Sequence, residues 1–281
     1  MPRAVGLDRS YREARDQRRL WSPEELRPIA WYDASDLSTL TLGASGITAW
    51  RDKLGRSALN LTATGNPGLA AVNAPPVSWT PLPVVVFNGT SHLMTGAAIS
   101  NYAPTTGFSS IAVVRVTNAQ GWIGNGDGAP PVWADAQGWV GMAVKQRAGG
   151  QFQGGLYIYN SGDKTIWADL TSSTAPEAGI IYVEFASASS HTVATNMSAA
   201  VTTANPAGAQ GGNAGVSYRL GVSNKFLGME LGELLHFAPA LSPAQRAKVE
   251  GYLAWKWSLR PRLSVPVPQH PHAGRPPLIG A

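Results

Sequence analysis

Acidic residues, five histidines and a set of clustered aromatics are the raw material for chemistry in this chain, which has no cysteine. Without cysteine there are no disulfides, thiolate metal sites or cysteine nucleophiles. Two carboxylates facing one cleft, about 5–5.5 Å apart, would suit retaining glycoside hydrolysis. The best-placed pair is Glu230 and Glu233 in "MELGELL". Residues three apart point to opposite faces of a regular strand, so a shared face would need a bulge at Gly232. No catalytic pair is expected here, and Glu233 is expected to pair near the junction with a following helix. Glu184 in "YVEFAS" stands alone in sequence. None of His92, His191, His236, His270 and His272 lies near a nucleophile motif, and GxSxG is absent. His270 and His272 lack a nearby carboxylate to complete a metal site.

Binding chemistry has better candidates. In "GNGDGAPPVWADAQG", Asp127 and Asp135 are suitable calcium ligands, although their spacing is not that of an EF-hand and Asp-Gly is also an ordinary turn signal. Trp122, Trp133 and Trp139 cluster in the same Gly- and Pro-rich region, and Tyr157, Tyr159 and Trp167 follow. Exposed aromatic faces could stack on sugar rings. A spacing of two puts Tyr157 and Tyr159 on one strand face. Trp133, after Pro130-Pro131, is the member expected to be exposed. The competing expectation is that most of the ten tryptophans pack in a core.

The elements positioning these residues read as short strands. Runs such as "FSSIAVVRVTN", "GWVGMAVKQRAGG", "GIIYVEFASASSHTVATNMSAAV" and "LGMELGELLHFAPAL" recur between Gly, Asn and Pro breaks, with no interleaved helices. The pattern predicts an all-β antiparallel sandwich. Asn88-Gly89 between two apolar runs predicts a hairpin, and the second of the two strands read in "GIIYVEFASASSHTVATNMSAAV" has the polar texture of a sheet edge. No repeat of fixed period is present. One helix is well specified, in "SPAQRAKVEGYLAWKWSL". Ser242 is its N-cap, Pro243 its first residue and Gln245 completes a capping box. Val249, Leu253 and Trp257 recur every four residues as an apolar face that should lie on a sheet or close its end.

Charged residues are only 14% of the chain, and the net charge of +5 is uneven. Residues 1–28 carry +2, the body −2 and residues 246–281 +5. A mildly acidic body does not fit a nucleic-acid binder, and no apolar run is long enough to span a membrane. The N-terminus has no apolar secretory run. Asp8, Arg12 and Asp16 are spaced for a charged helical arm. From Pro261 the chain should be extended. The domain expectation is an arm over 1–28, a sandwich with its helix over 29–260, and a Pro-rich tail over 261–281.

Three stretches carry a resemblance: "AWYDASDLSTLTL…ITAWRDKLG", "PVVVFNGTSHL", and "GELLHFAPALSPAQRAKVEGYLAWKWSL" with its "HPH…PP" tail. Together they resemble the concanavalin A-like, LamG-type jelly rolls of tailed-bacteriophage virion proteins. The resemblance implies a jelly roll with an N-terminal helical arm and one C-terminal helix, in a non-enzymatic structural protein of the virion. Its partners would be capsid or tail subunits, in many copies. The alternative it leaves open is a carbohydrate-binding receptor-recognition module on a fibre or spike, with a host surface glycan as ligand. A glycan-degrading enzyme is the remaining rival.

Overall fold

A computed structural model describes residues 21–70, 82–97, 107–118, 131–135, 140–146, 152–159, 163–169, 178–187, 190–204, 218–221 and 227–259. Its strands run in chain order: β1 (Ala30–Asp33), β2 (Leu40–Gly43), β3 (Gly46–Trp50), β4 (Leu61–Thr64), β5 (Gly68–Ala70), β6 (Val84–Asn88), β7 (Leu93–Gly96), β8 (Phe108–Asn118) and β9 (Pro131–Asp135). They continue as β10 (Val140–Gln146), β11 (Phe152–Tyr159), β12 (Asp163–Asp169), β13 (Ala178–Ser187), β14 (Ser190–Thr195), β15 (Val201–Ala204), β16 (Tyr218–Leu220) and β17 (Gly228–Phe237). A single α-helix among the described residues, α1 (Pro243–Lys256), follows, and three short 3-10 helices (Pro23–Leu26, Leu37–Thr39 and Ser57–Leu59) lie between the early strands or before them.

The strands form two antiparallel sheets. Sheet A has the order β15-β14-β13-β8-β17-β6-β5, and β1 pairs with the second half of β17 beyond β6. Sheet B has the order β12-β11-β10-β9-β16-β7-β4-β3-β2. Alternation along each strand sends one set of side chains between the sheets. Tyr32, Trp50, Phe87, Met94, Val114, Met142, Leu156, Ile181 and Leu231 lie in that inter-sheet core. The expected all-β sandwich with one C-terminal helix is the fold of the chain.

Three local expectations are corrected. Asn88-Gly89 does not close a hairpin, because β6 lies in sheet A and β7 in sheet B. The Asn88 side chain accepts from the backbone N–H groups of Thr90, Ser91 and His92, and this turn carries the chain from one sheet to the other. Gly89 has φ +74, and a Cβ there would sit 2.8 Å from the Gly228 nitrogen, so glycine is required by both conformation and space. Second, β14 is not an edge, because β15 covers it and His191 to Thr195 are buried. Third, Glu230 and Glu233 share a face. The register of β17 against β8 shifts between Leu231 and Glu233, which sets Glu230 opposite Arg115 and Glu233 opposite Val113. The bulge at Gly232 thus cancels the odd spacing.

Helix α1 starts as its sequence directs. The Ser242 hydroxyl accepts from the Gln245 N–H at 3.3 Å, and the Gln245 side chain accepts from the Ser242 N–H at 2.8 Å. Val249, Leu253 and Trp257 are fully buried. They lie on the outer face of sheet A, in a second core with Trp31, Ile111, Val113, Ile180, Tyr182, Leu235 and Phe237. The helix therefore covers a sheet from outside and leaves the inter-sheet core to the strands. Gly232 is what lets it approach, since a Cβ there would lie 2.9 Å from two atoms of the Trp257 ring. Trp21 meets the same layer, edge-on to Tyr252 with ring centroids 6.2 Å apart.

Candidate functional site

The two outer faces of the sandwich differ in kind. On sheet A, the C-terminal end of α1 closes over a buried charge cluster. Asp33 and Glu233 are register partners on β1 and β17, and both are fully buried. Lys256 bridges them, its Nζ 2.7 Å from Asp33 Oδ2 and 2.7 Å from Glu233 Oε2. Lys53 also binds Asp33, and its ammonium lies 4.8 Å from the centre of the Trp31 ring. Glu233 accepts two further bonds, from Trp31 Nε1 at 2.7 Å and Trp257 Nε1 at 2.8 Å. Next to it, Arg56 grips Asp52 with two N–H groups, each 2.9 Å from an oxygen, while Asp52 accepts from the Trp31 N–H at 2.8 Å.

Burial opposes the charge on Asp33, but Lys256 and Lys53 outweigh it and hold that carboxyl below the usual carboxylate range. Burial and the neighbouring charge of Asp33 push Glu233 up, with Lys256 and Trp257 pulling the other way. Every bonded neighbour of Glu233 is a pure donor, so a proton on this carboxyl would face donors only. Glu230 is equally buried and paired, with Arg115 Nη2 2.5 Å from Oε1 and Nε 3.0 Å from Oε2. The two glutamates share a face, yet each is committed to its own cation. The arrangement locks α1 to β1 and β17. The expected pairing of Glu233 at the helix junction is what the structure contains.

Two histidines are similarly interior. His236 shares a 2.6 Å hydrogen bond with the Ser110 hydroxyl, and burial drives its pKa down to about 3. His191 is buried with its ring 4.5 Å from Phe185. Glu184 accepts from the Tyr182 hydroxyl at 2.6 Å.

The outer face of sheet B is built differently. One row of register partners crosses it from Thr62 through Thr95, Arg219, Ala134 and Gly141 to Tyr157. The adjacent row, Met94, Leu220, Trp133, Met142 and Leu156, belongs to the inter-sheet side, where Met94, Leu220, Met142 and Leu156 are core residues. By register, Tyr157 pairs with Gly141 in the first of these rows, whereas Trp133 pairs with Met142 in the second. Trp167 stands opposite Gly155 in the outer register, and Gln153 donates to Asp169 at 2.6 Å across β11 and β12. Asp135 pairs with Tyr218. Trp122, Trp139 and Asp127 lie outside the described residues.

Arg219, Trp167 and the Gln153–Asp169 pair did not stand out in sequence as parts of one face. Only the strand register assembles them.

Comparison with known proteins identifies the architecture. No protein-family model and no curated protein matches the chain. Among solved structures it is similar to domain 4 of AbnA, a GH43 extracellular arabinanase from Geobacillus stearothermophilus, in complex with arabinotriose. There the TM-score is 0.52 and the identity 14%, over 78% of this chain and 95% of that one. It is also similar to a botulinum neurotoxin type C structure whose cell entry depends on two ganglioside molecules (TM-score 0.54, 10% identity, 83% of this chain and 53% of that one). A third is the binding domain of botulinum neurotoxin DC in complex with rat synaptotagmin II (TM-score 0.55, 11% identity, 83% and 52%). The chain spans almost all of the arabinanase domain but about half of each toxin chain. At these identities the likeness is one of fold alone: a β-sandwich.

Proposed function

We propose that the chain is a non-catalytic carbohydrate-recognition module that binds a glycan on the outer face of sheet B. The observation that carries this reading is the contrast between the two outer faces. Sheet A is sealed by α1 and its charge cluster, whereas the outer row of sheet B keeps Thr62 exposed and Thr95 and Arg219 half-buried before it passes the buried Gly141 to reach the position of Tyr157. Small and hydroxyl-bearing residues beside aromatic positions suit the alternating polar edges and apolar faces of a sugar. Two of the fold neighbours, the arabinanase domain and the type C toxin, have sugar ligands named with them, which supports the reading by analogy of fold. Among the described residues the buried carboxylates are each bonded to a cation or donor within the fold, which favours recognition over hydrolysis.

The test is a glycan array with purified protein, followed by titration calorimetry of the best ligands. Tyr157→Ala is expected to weaken binding at least tenfold with the fold intact. No glycan binding above background would refute the proposal.

A second reading concerns where the module works. The ending that follows β17, with its capped "GYLAWKW" helix and Pro-rich tail, favours display on a tailed-phage virion through the terminal segments. Deleting residues 1–20 tests the arm in this reading. Undiminished incorporation of the folded protein into particles would refute a docking role for that segment.

A further inference from the structure

The charge cluster beneath α1 has the parts of a reaction as well as those of a clasp. Lys256, at the end of α1, sets one nitrogen 2.7 Å from both Asp33 Oδ2 and Glu233 Oε2. Reacting atoms in a near-attack geometry are about 3–3.5 Å apart, and the Asp33 carboxyl carbon is one C–O bond beyond the oxygen that Lys256 touches. The other carboxyl oxygen, Oδ1, accepts from the Ser35 N–H at 3.1 Å and from the Ser35 hydroxyl at 2.6 Å. Two fixed donors on one oxygen are what a developing oxyanion requires. Lys53 binds Oδ2, the oxygen that would depart. The setting is dry. The Asp33 and Glu233 side chains have no exposure and that of Lys256 is 13% exposed, with its ammonium 5.3 Å from the centre of the Trp257 ring and 5.7 Å from that of Tyr252.

Two buried charges carry a desolvation cost that a neutral group in their place does not. We propose that Lys256 and Asp33 condense, with Glu233 as the proton carrier, into an intramolecular amide that ties α1 to β1. Glu233 Oε2 takes a proton from the Lys256 ammonium, a transfer that its burial and the Asp33 charge favour. The freed amine attacks the Asp33 carboxyl carbon, and the charge that develops on Oδ1 rests on the two Ser35 donors. The N–C bond forms and the C–Oδ2 bond breaks. Oδ2 leaves as water with two of the ammonium protons, one of them delivered by Glu233. One ammonium and one carboxylate thus become a neutral amide and water, without oxidant or further reactant, and Glu233 ends as it began. The amide N–H can still donate to Glu233, so the clasp persists in the product. Lys53 is the poorer nucleophile, because it is 27% exposed and also pairs with Asp36 at 3.5 Å. The bond stands independently of the glycan reading.

The test is intact mass spectrometry in denaturant of the full chain, after incubation in the folded state near neutral pH. Wild-type protein is expected to be lighter than its sequence mass by one water, and proteolysis should yield one branched peptide joining the segments of Asp33 and Lys256. Asp33→Asn is expected to reach the same product by losing one ammonia instead. Lys256→Arg, which keeps the charge but has no amine to acylate, should stay at full mass. Glu233→Gln, in preparations whose near-ultraviolet circular dichroism shows a folded chain, should hold at most a tenth of the wild-type bonded fraction. A wild-type chain at full sequence mass would overturn the proposal, whether or not the variants fold. A water loss that maps to Lys53, or to ring closure at Asp127-Gly128, would overturn it as well. A folded Glu233→Gln chain bonded as fully as wild type would overturn the role given to Glu233.

Discussion

Glu233 offers the sharpest test of what holds this molecule together. Its two oxygens accept from two indole N–H groups and one ammonium, all at 2.7–2.8 Å, in a fully buried setting. Glu233→Ala leaves Trp31 Nε1 and Trp257 Nε1 without acceptors, and each orphaned donor costs about 1–3 kcal/mol. Lys256 retains Asp33 at 2.7 Å, so its loss is smaller than the about 3–5 kcal/mol of a fully broken buried pair. The expected total is about 4–5 kcal/mol, a large part of the about 5–15 kcal/mol typical of a domain. For a chain of this length that is a fall in Tm of about 10–15 °C. Glu233→Gln keeps the volume but turns an NH2 toward donors, and should cost about 2–4 kcal/mol. Urea unfolding followed by tryptophan fluorescence gives the free energies, and near-ultraviolet circular dichroism reports Trp31 and Trp257 directly. A Gln variant within about 0.5 kcal/mol of wild type would refute the claim that an ionised, three-donor carboxylate anchors the helix.

Two other perturbations probe the interior of sheet A. His236 stays neutral in the fold until about pH 3, while the unfolded chain takes up its proton near pH 6.5. The unfolded state thus binds more protons below about pH 6.5, and stability should fall by about 1.4 kcal/mol per pH unit between there and about pH 3. Urea midpoints at pH 7, 6 and 5 measure this, and His236→Gln should flatten the slope; equal midpoints at pH 7 and 5 in wild type would contradict the neutral buried imidazole. Gly232→Ala should cost about 1–3 kcal/mol by pressing a methyl into the Trp257 ring, with a changed near-ultraviolet signal, and an unchanged spectrum and midpoint would show that the helix does not need this close approach.

What the sequence revealed divides by range. The capping box at Ser242 and Gln245 and the four-residue spacing of Val249, Leu253 and Trp257 are local, so they were readable, as was the strand texture of the body. The destination of the helix was not, because an apolar stripe does not say which sheet face it will cover. Asn88-Gly89 misled for a related reason: turn chemistry specifies how the chain bends but not which sheet it enters next. Parity failed at Glu230 and Glu233 because one bulge residue inverts every later position. The Asp33–Glu233 pairing joins residues 200 positions apart. Arg219 and Tyr157 fall in one row only through three strand pairings, none of them encoded locally.

Trp21 and Leu259, the two ends of the described chain about the helix, both join the layer on the outside of sheet A. A tether leaving from either end departs from the sealed side and turns the outer face of sheet B away from its anchor. Copies held this way on a common surface would present the outer faces of their B sheets outward and in the same sense. Individual sugar contacts are weak, but an array with fixed orientation raises the effective concentration of each further contact. Under the proposed glycan reading, the sealing of one face by α1 becomes a condition for avidity at the other.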